Sequence, residues 1–180
     1  MKRQFSARRL DVQAFAEDGE QLTGQGPLRE FPRLSAEGQA HGGDRPVAWS
    51  ARGELHNPQH VQPQVWLYLT ASTVLPLTCQ RCLEPVDVPL AVDRSFRFVA
   101  DEQTAAAQDD EAEEDLLAIS RSFDLLELLE DELLMEVPVV PRHDVCPTPV
   151  RLSAADPHFE EAAPAENPFA ALKVLKNGDR

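Results

Sequence analysis

Apolar side chains of one parity run through Val86, Val88, Leu90, Val92, Phe96 and Phe98, with Asp87, Asp93 and Arg97 between them. Such alternation predicts a strand with one buried face, because successive side chains of an extended chain point to opposite sides. Upstream, apolar and β-branched content rises from Val47 to Leu55 and again from Val61 to Thr78. In the second of these runs Val65, Leu67 and Leu69 share one face, and Trp66, Tyr68 and Thr70 the other. These read as strands, and the last two runs together predict a long antiparallel hairpin. Its tip is Cys79-Gln80-Arg81-Cys82-Leu83-Glu84-Pro85, where the proline discourages a helix.

Elsewhere the period is helical. Asp11 is an N-cap ahead of Val12, Ala14, Phe15 and Ala16, with Gly19 as the stop. Asp124-Leu125-Leu126-Glu127 starts like a capping box, and Leu125, Leu126, Leu128, Leu129, Leu133 and Leu134 supply a broad apolar stripe that reads as core, up to Pro138. On that reading Glu130-Asp131-Glu132 is the polar side of the helix. Residues 19–45, rich in Gly and Pro, read mostly as loop. Asp101 to Asp115 carries eight acids and no base, the composition of a solvated loop. Residues 147–166 read as a Pro/Ala/Glu-rich linker, and residues 167–180, opening with Asn167-Pro168-Phe169, as a short amphipathic segment.

The expected architecture is therefore α+β. Residues 1–146 form one domain, an antiparallel β-sheet built around the long hairpin and packed by the leucine-rich helix, with a disordered acidic loop at 101–115 and a C-terminal tail. The length of 180 residues suits one domain with tails. A mean hydropathy of −0.36 and 15 prolines agree with a chain that is partly loop.

Charge divides the chain. The net charge is −14; residues 1–100 hold 11 basic and 11 acidic side chains, so the whole acid surplus follows Ala100. This balance argues against a general nucleic-acid coat protein and confines any phosphate contact to local basic positions. The densest basic cluster is Lys2, Arg3, Arg8 and Arg9. No apolar run is long enough to span a membrane, and Met1-Lys2-Arg3-Gln4-Phe5-Ser6 does not open a signal peptide, so the expected location is the cytoplasm.

Three cysteines exclude a fully paired disulfide framework. Cys79 and Cys82 form a CxxC, which suits a zinc knuckle or a dithiol couple; the couple wants its first cysteine at a helix N-terminus, whereas strand follows here. His143-Asp144-Val145-Cys146 repeats the two-residue gap, so Cys79, Cys82, His143 and Cys146 complete a four-ligand set for zinc. The other reading is a loop histidine beside cysteines that act as small apolar fillers. Signatures of catalysis are missing: no P-loop, GxGxxG, HExxH or GxSxG occurs, and His41, His56, His60 and His158 read as solvated. The expectation is a non-enzyme without a small-molecule substrate.

Three ordered segments resemble one family. Leu77 to Pro85, then Leu126 to Cys146 with its Val137-Pro138-Val139-Val140-Pro141-Arg142-His143-Asp144 core, and finally Asn167 to Leu172 are similar to the YceD family, the large ribosomal RNA subunit accumulation proteins. The resemblance implies a cytoplasmic, non-enzymatic factor needed for accumulation of large-subunit ribosomal RNA or its precursor, and so for large-subunit biogenesis. Some relatives carry a fuller cysteine set in the segment corresponding to residues 142–150, where this chain has only Cys146. The implied partner is the precursor RNA or a ribosomal or assembly protein. Basic positions for that contact are Arg81 first, then Arg8, Arg9, Arg94, Arg97 and Arg142, with Lys2 and Arg3 beside them. The alternative is a zinc-stabilised protein-interaction module without RNA contact; a thiol oxidoreductase is a third reading.

Overall fold

The strands form where side-chain alternation and β-branched content are strongest. In a computed structural model of the chain, residues 3–38, 42–61 and 63–149 are described. The chain divides into two units, Met1–Thr148 and Pro149–Arg180. The expected linker at 147–166 from residue 150 onward, and the amphipathic segment at 167–180, together with Lys2, His41 and His158, lie outside the described residues.

Elements follow in the order α1 (Val12–Glu17), β1 (Gln21–Pro27), α2 (Pro32–Glu37), β2 (Pro46–His56), β3 (Gln64–Thr78), β4 (Pro85–Val99), α3 (Glu102–Gln108), β5 (Asp115–Ala118) and α4 (Leu125–Met135), with single 3-10 turns at Leu28–Glu30 and Asp109–Glu111. The protein is α+β, and the five strands form one sheet in sequential order. Neighbours from β1 to β4 are antiparallel, while β5 runs parallel to β4. The sheet is thus mixed, not wholly antiparallel: the connection from β4 through α3 is long enough to bring the chain back in the same direction.

β3 and β4 pair from Val65↔Phe98 to Thr78↔Pro85, which puts Cys79 to Glu84 at the turn. The pleat sends Val65, Leu67, Leu69, Leu75 and Leu77 of β3 and Val86, Leu90, Val92, Phe96 and Phe98 of β4 to one buried face. α1 and α4 pack on that face, and α2 packs on α4. Leu10, Phe15, Leu28, Leu34, Leu125, Leu129 and Leu133 are fully buried there. Gly53 of β2 is where α1 comes closest: an added Cβ would lie 2.9 Å from the Ala16 backbone nitrogen.

Three further expectations are corrected. The stretch 19–45 is not mostly loop, for it contains β1 and α2. β1 is hard to see because its buried-side positions include Gly24 and Gly26, and a Cβ on Gly24 would meet the Trp49 ring at 2.4 Å. The acidic segment is not a disordered loop either. Asp101 caps α3 by accepting from the Thr104 N–H at 2.7 Å, Ala105 is buried, and Arg97 pairs with Glu114. The Asp101 carboxyl is held below its usual range by the Thr104 backbone and side chain together, against the opposing effect of burial.

Finally, Glu130-Asp131-Glu132 is not simply a solvated helix face, because Glu130 and Glu132 are buried. Glu130 accepts the N–H groups of Arg33 at 2.7 Å and Leu34 at 3.1 Å, satisfying the first turn of α2 with a side chain from α4. The Arg33 guanidinium bonds to both Glu130 and Asp131. Glu132 faces Arg94 at 3.5 Å. Burial pushes its carboxyl above the usual range, against the pull of Arg94.

Candidate metal centre and basic surface

The turn after β3 is tight. Leu83 N–H bonds to the Cys79 carbonyl at 2.9 Å and Cys79 N–H to the Glu84 carbonyl at 2.9 Å. Closing it puts Leu83 at a positive φ of 63°, a conformation that costs a leucine roughly 1–2 kcal/mol. This turn aims both cysteine sulfurs to one side, where the segment after α4 crosses the hairpin. Gln80 N–H donates to the Pro141 carbonyl at 2.9 Å, which seats Arg142 to Cys146 against the turn.

There the donor atoms of Cys79, Cys82, His143 and Cys146 all lie within 4.8 Å of one another. A tetrahedral ion bound by sulfur and imidazole needs donors roughly 3.5–3.8 Å apart, so closure takes only small side-chain rotations. The histidine is already set for ligation. Its Nε2 lies 3.0 Å from the Pro85 carbonyl, which can only accept, so Nε2 carries the proton. In the neutral ring that leaves Nδ1 as the ligating nitrogen, and it lies 3.4 Å from Cys82 Sγ. A metal-binding histidine is ordinarily oriented in this way, by donating its second ring N–H to a carbonyl.

The sulfurs differ. Cys79 is fully buried, and burial pushes its thiol up. Backbone N–H groups of Cys82, His143 and Arg81, with the Cys82 side chain, outweigh burial and lower it to about 5, making Cys79 a thiolate at neutral pH. The His143 N–H to Cys79 Sγ distance is 3.5 Å. Cys146 is pushed up, by burial first and then by the Cys82 and Cys79 sulfurs. An anionic Cys79 sulfur therefore sits beside a Cys146 thiol that resists ionisation, a conflict that a bound cation removes. The four residues can hold a metal ion.

The basic positions separate into two groups. Arg94 is engaged by Glu132 and Arg97 by Glu114, so both fasten helices or loops to β4. Arg3, Arg29, Arg33, Arg45 and Arg52 are likewise in ion pairs. Among the described residues, Arg8, Arg9, Arg81, Arg121 and Arg142 have none. Arg81 and Arg142 flank the sulfur cluster. Arg121, alone between two serines, gave no signal in the sequence. Nor did the ring cluster on the solvent face of β2 and β3: His56 is not simply solvated, since it stacks on Trp66 at 5.0 Å between centroids. Tyr68 Oη lies 3.2 Å from His56 Nε2, and the Arg52 guanidinium sits 4.4 Å above the Tyr68 ring.

The geometry defines an α+β protein with a sulfur and imidazole cluster at the tip of its longest hairpin. No solved structure matches the chain. Over residues 67–176 it matches the family described as Large ribosomal RNA subunit accumulation protein YceD, and it belongs to that family. The match begins within β3 and takes in the cluster, α3, β5 and α4; α1, β1, α2 and β2 precede it. No helix of the described residues is long and apolar enough to cross a membrane.

Proposed function

We propose that this chain is a non-enzymatic factor that promotes accumulation of large-subunit ribosomal RNA, acting in the cytoplasm on the precursor RNA or on a ribosomal assembly protein during large-subunit biogenesis. The family match over residues 67–176 carries this reading. The cluster serves as a structural clasp, and its ion is zinc: three thiol ligands and one imidazole are a soft donor set typical of closed zinc sites. When bound, zinc neutralises the sulfurs and ties Arg142 to Cys146 onto the hairpin. That leaves Arg81 and Arg142, exposed and without an ion partner among the described residues, available to the partner.

The test is sedimentation of the tagged native protein through a sucrose gradient, with large-subunit precursor RNA probed in every fraction. Co-migration with the precursor supports the reading, and protein confined to the top fractions refutes it. A second reading, a zinc-stabilised module that binds protein alone, draws on the exposed Leu83, Val139, Val140 and Val145 around the clasp. Co-migration that survives ribonuclease favours that reading.

A further inference from the structure

Arg9 and Arg121 are far apart in sequence, yet they line the same hollow. Two loops are laced together there: Leu10 N–H bonds to the Phe123 carbonyl at 2.8 Å, Phe123 N–H to the Leu10 carbonyl at 2.9 Å, and Val12 N–H to the Ser120 carbonyl at 3.2 Å. A turn closed by Arg9 N–H on the Ser6 carbonyl at 3.2 Å fixes the approach to the bridge. The hollow between the laced loops and α1 has a volume of about 500 Å³, and Arg3, Phe5, Arg9, Asp11, Glu17 and Arg121 are among the residues that line it.

The acids in this hollow are already committed. Asp11 caps α1 by accepting from the Ala14 N–H at 3.0 Å, and Glu17 faces Arg3 at 3.4 Å and the Gln13 amide at 3.1 Å. The guanidiniums of Arg9 and Arg121 have no such partner among the described residues. Seven of the twelve arginines among the described residues are in ion pairs, and two that are not have been brought to one concave surface by backbone hydrogen bonds. Guanidinium forks match phosphate oxygens, and an uncommitted pair of them is suited to adjacent phosphates.

We propose that this hollow is a phosphate-binding site for the backbone of RNA, with Arg9 and Arg121 as its cations. The proposal rests on the function proposed above and adds direct RNA contact at a place remote in sequence from the cysteine motif. It assigns no base specificity, because the residues named supply charge and not base-edge recognition.

The experiment is fluorescence anisotropy of the full-length protein with a labelled single-stranded RNA and with a duplex of the same sequence, across a salt series. Each phosphate contact contributes about 0.7 for a single strand or about 0.9 for a duplex to the slope of log affinity against log salt. Arg9→Gln with Arg121→Gln should therefore flatten the slope by about 1.4–1.8. Between about 50 and 200 mM salt the double variant then loses roughly tenfold less affinity than the wild type. Arg29→Gln, at a paired exposed arginine, should leave the slope unchanged, and circular dichroism should show both variants folded. Absence of wild-type binding at low salt, or an unchanged slope in the double variant, overturns the proposal. If the native protein nevertheless co-migrates with the precursor on the gradient, only this site is lost and the proposed function stands.

Discussion

The two ends of the β3–β4 hairpin are covered by different means. At one end, α1 and α4 lie on the sheet with α2 behind them, and the fully buried Phe15, Leu34, Leu125, Leu129 and Leu133 hold them there. At the other end the cover is residues 137–146, which contain no helix or strand. Its valines do little of the work: Val139 is 97% exposed and Val145 86%, while Val137 and Cys146 are only partly buried against the core. What fastens this stretch is the Gln80–Pro141 backbone bond and the contacts of His143 and Cys146 with Cys79, Cys82 and Pro85. Apolar burial orders the first end, whereas at the second a cluster able to hold a metal ion stands where an apolar core would be.

The contrast can be broken at the helix-covered end with the largest effect. Leu129→Ala removes a fully buried side chain from α4 and should cost about 2–5 kcal/mol, read as a lower urea midpoint whether or not metal is bound. Glu130→Ala should cost less, about 1–2 kcal/mol, because it strips the α2 cap while leaving the apolar contacts in place. Hydrogen exchange should then rise first at Arg33 and Leu34.

The smallest effect is one of pH. Because burial raises the Glu132 carboxyl, its stabilising contribution is complete below its unfolded value of 4.5 and is lost as pH rises through the folded value. Glu132→Gln should accordingly gain stability relative to wild type as pH climbs from about 4.5 toward neutrality, measured by urea titration at each pH.

How much of this was legible depends on what each segment buries. The parity of Val86 to Phe98 coincides with the pleat of β4, because that strand shows one face to the core along most of its length. Asp11 is visible as a cap because its side chain acts locally, on Ala14. β1 hides because a strand that accommodates the Trp49 ring through glycine has few apolar side chains to display. Glu130 is misread because its partners, Arg33 and Leu34, are distant in sequence, so nothing in the leucine stripe distinguishes a buried carboxylate from a solvated one. The acidic segment misleads by composition: Asp101, Ala105 and Arg97 order α3 one contact at a time. The sulfur cluster was legible as two pairs with equal gaps, although their meeting depends on a hydrogen bond from Gln80 to Pro141 that no spacing encodes. Arg121 was invisible for a similar reason, its neighbourhood being made by the pairing of Leu10 with Phe123.

The proposed clasp is a metal that holds the far end of the hairpin. The measurement is metal content by mass spectrometry, joined to hydrogen exchange before and after chelation, on full-length protein purified without a metal-affinity step. About one equivalent of zinc is expected, and chelation should release the amides of residues 79–85 and 141–146 while those of α1 and α4 keep their protection. Zinc below about a tenth of an equivalent, or a tip that stays protected after chelation, would contradict it.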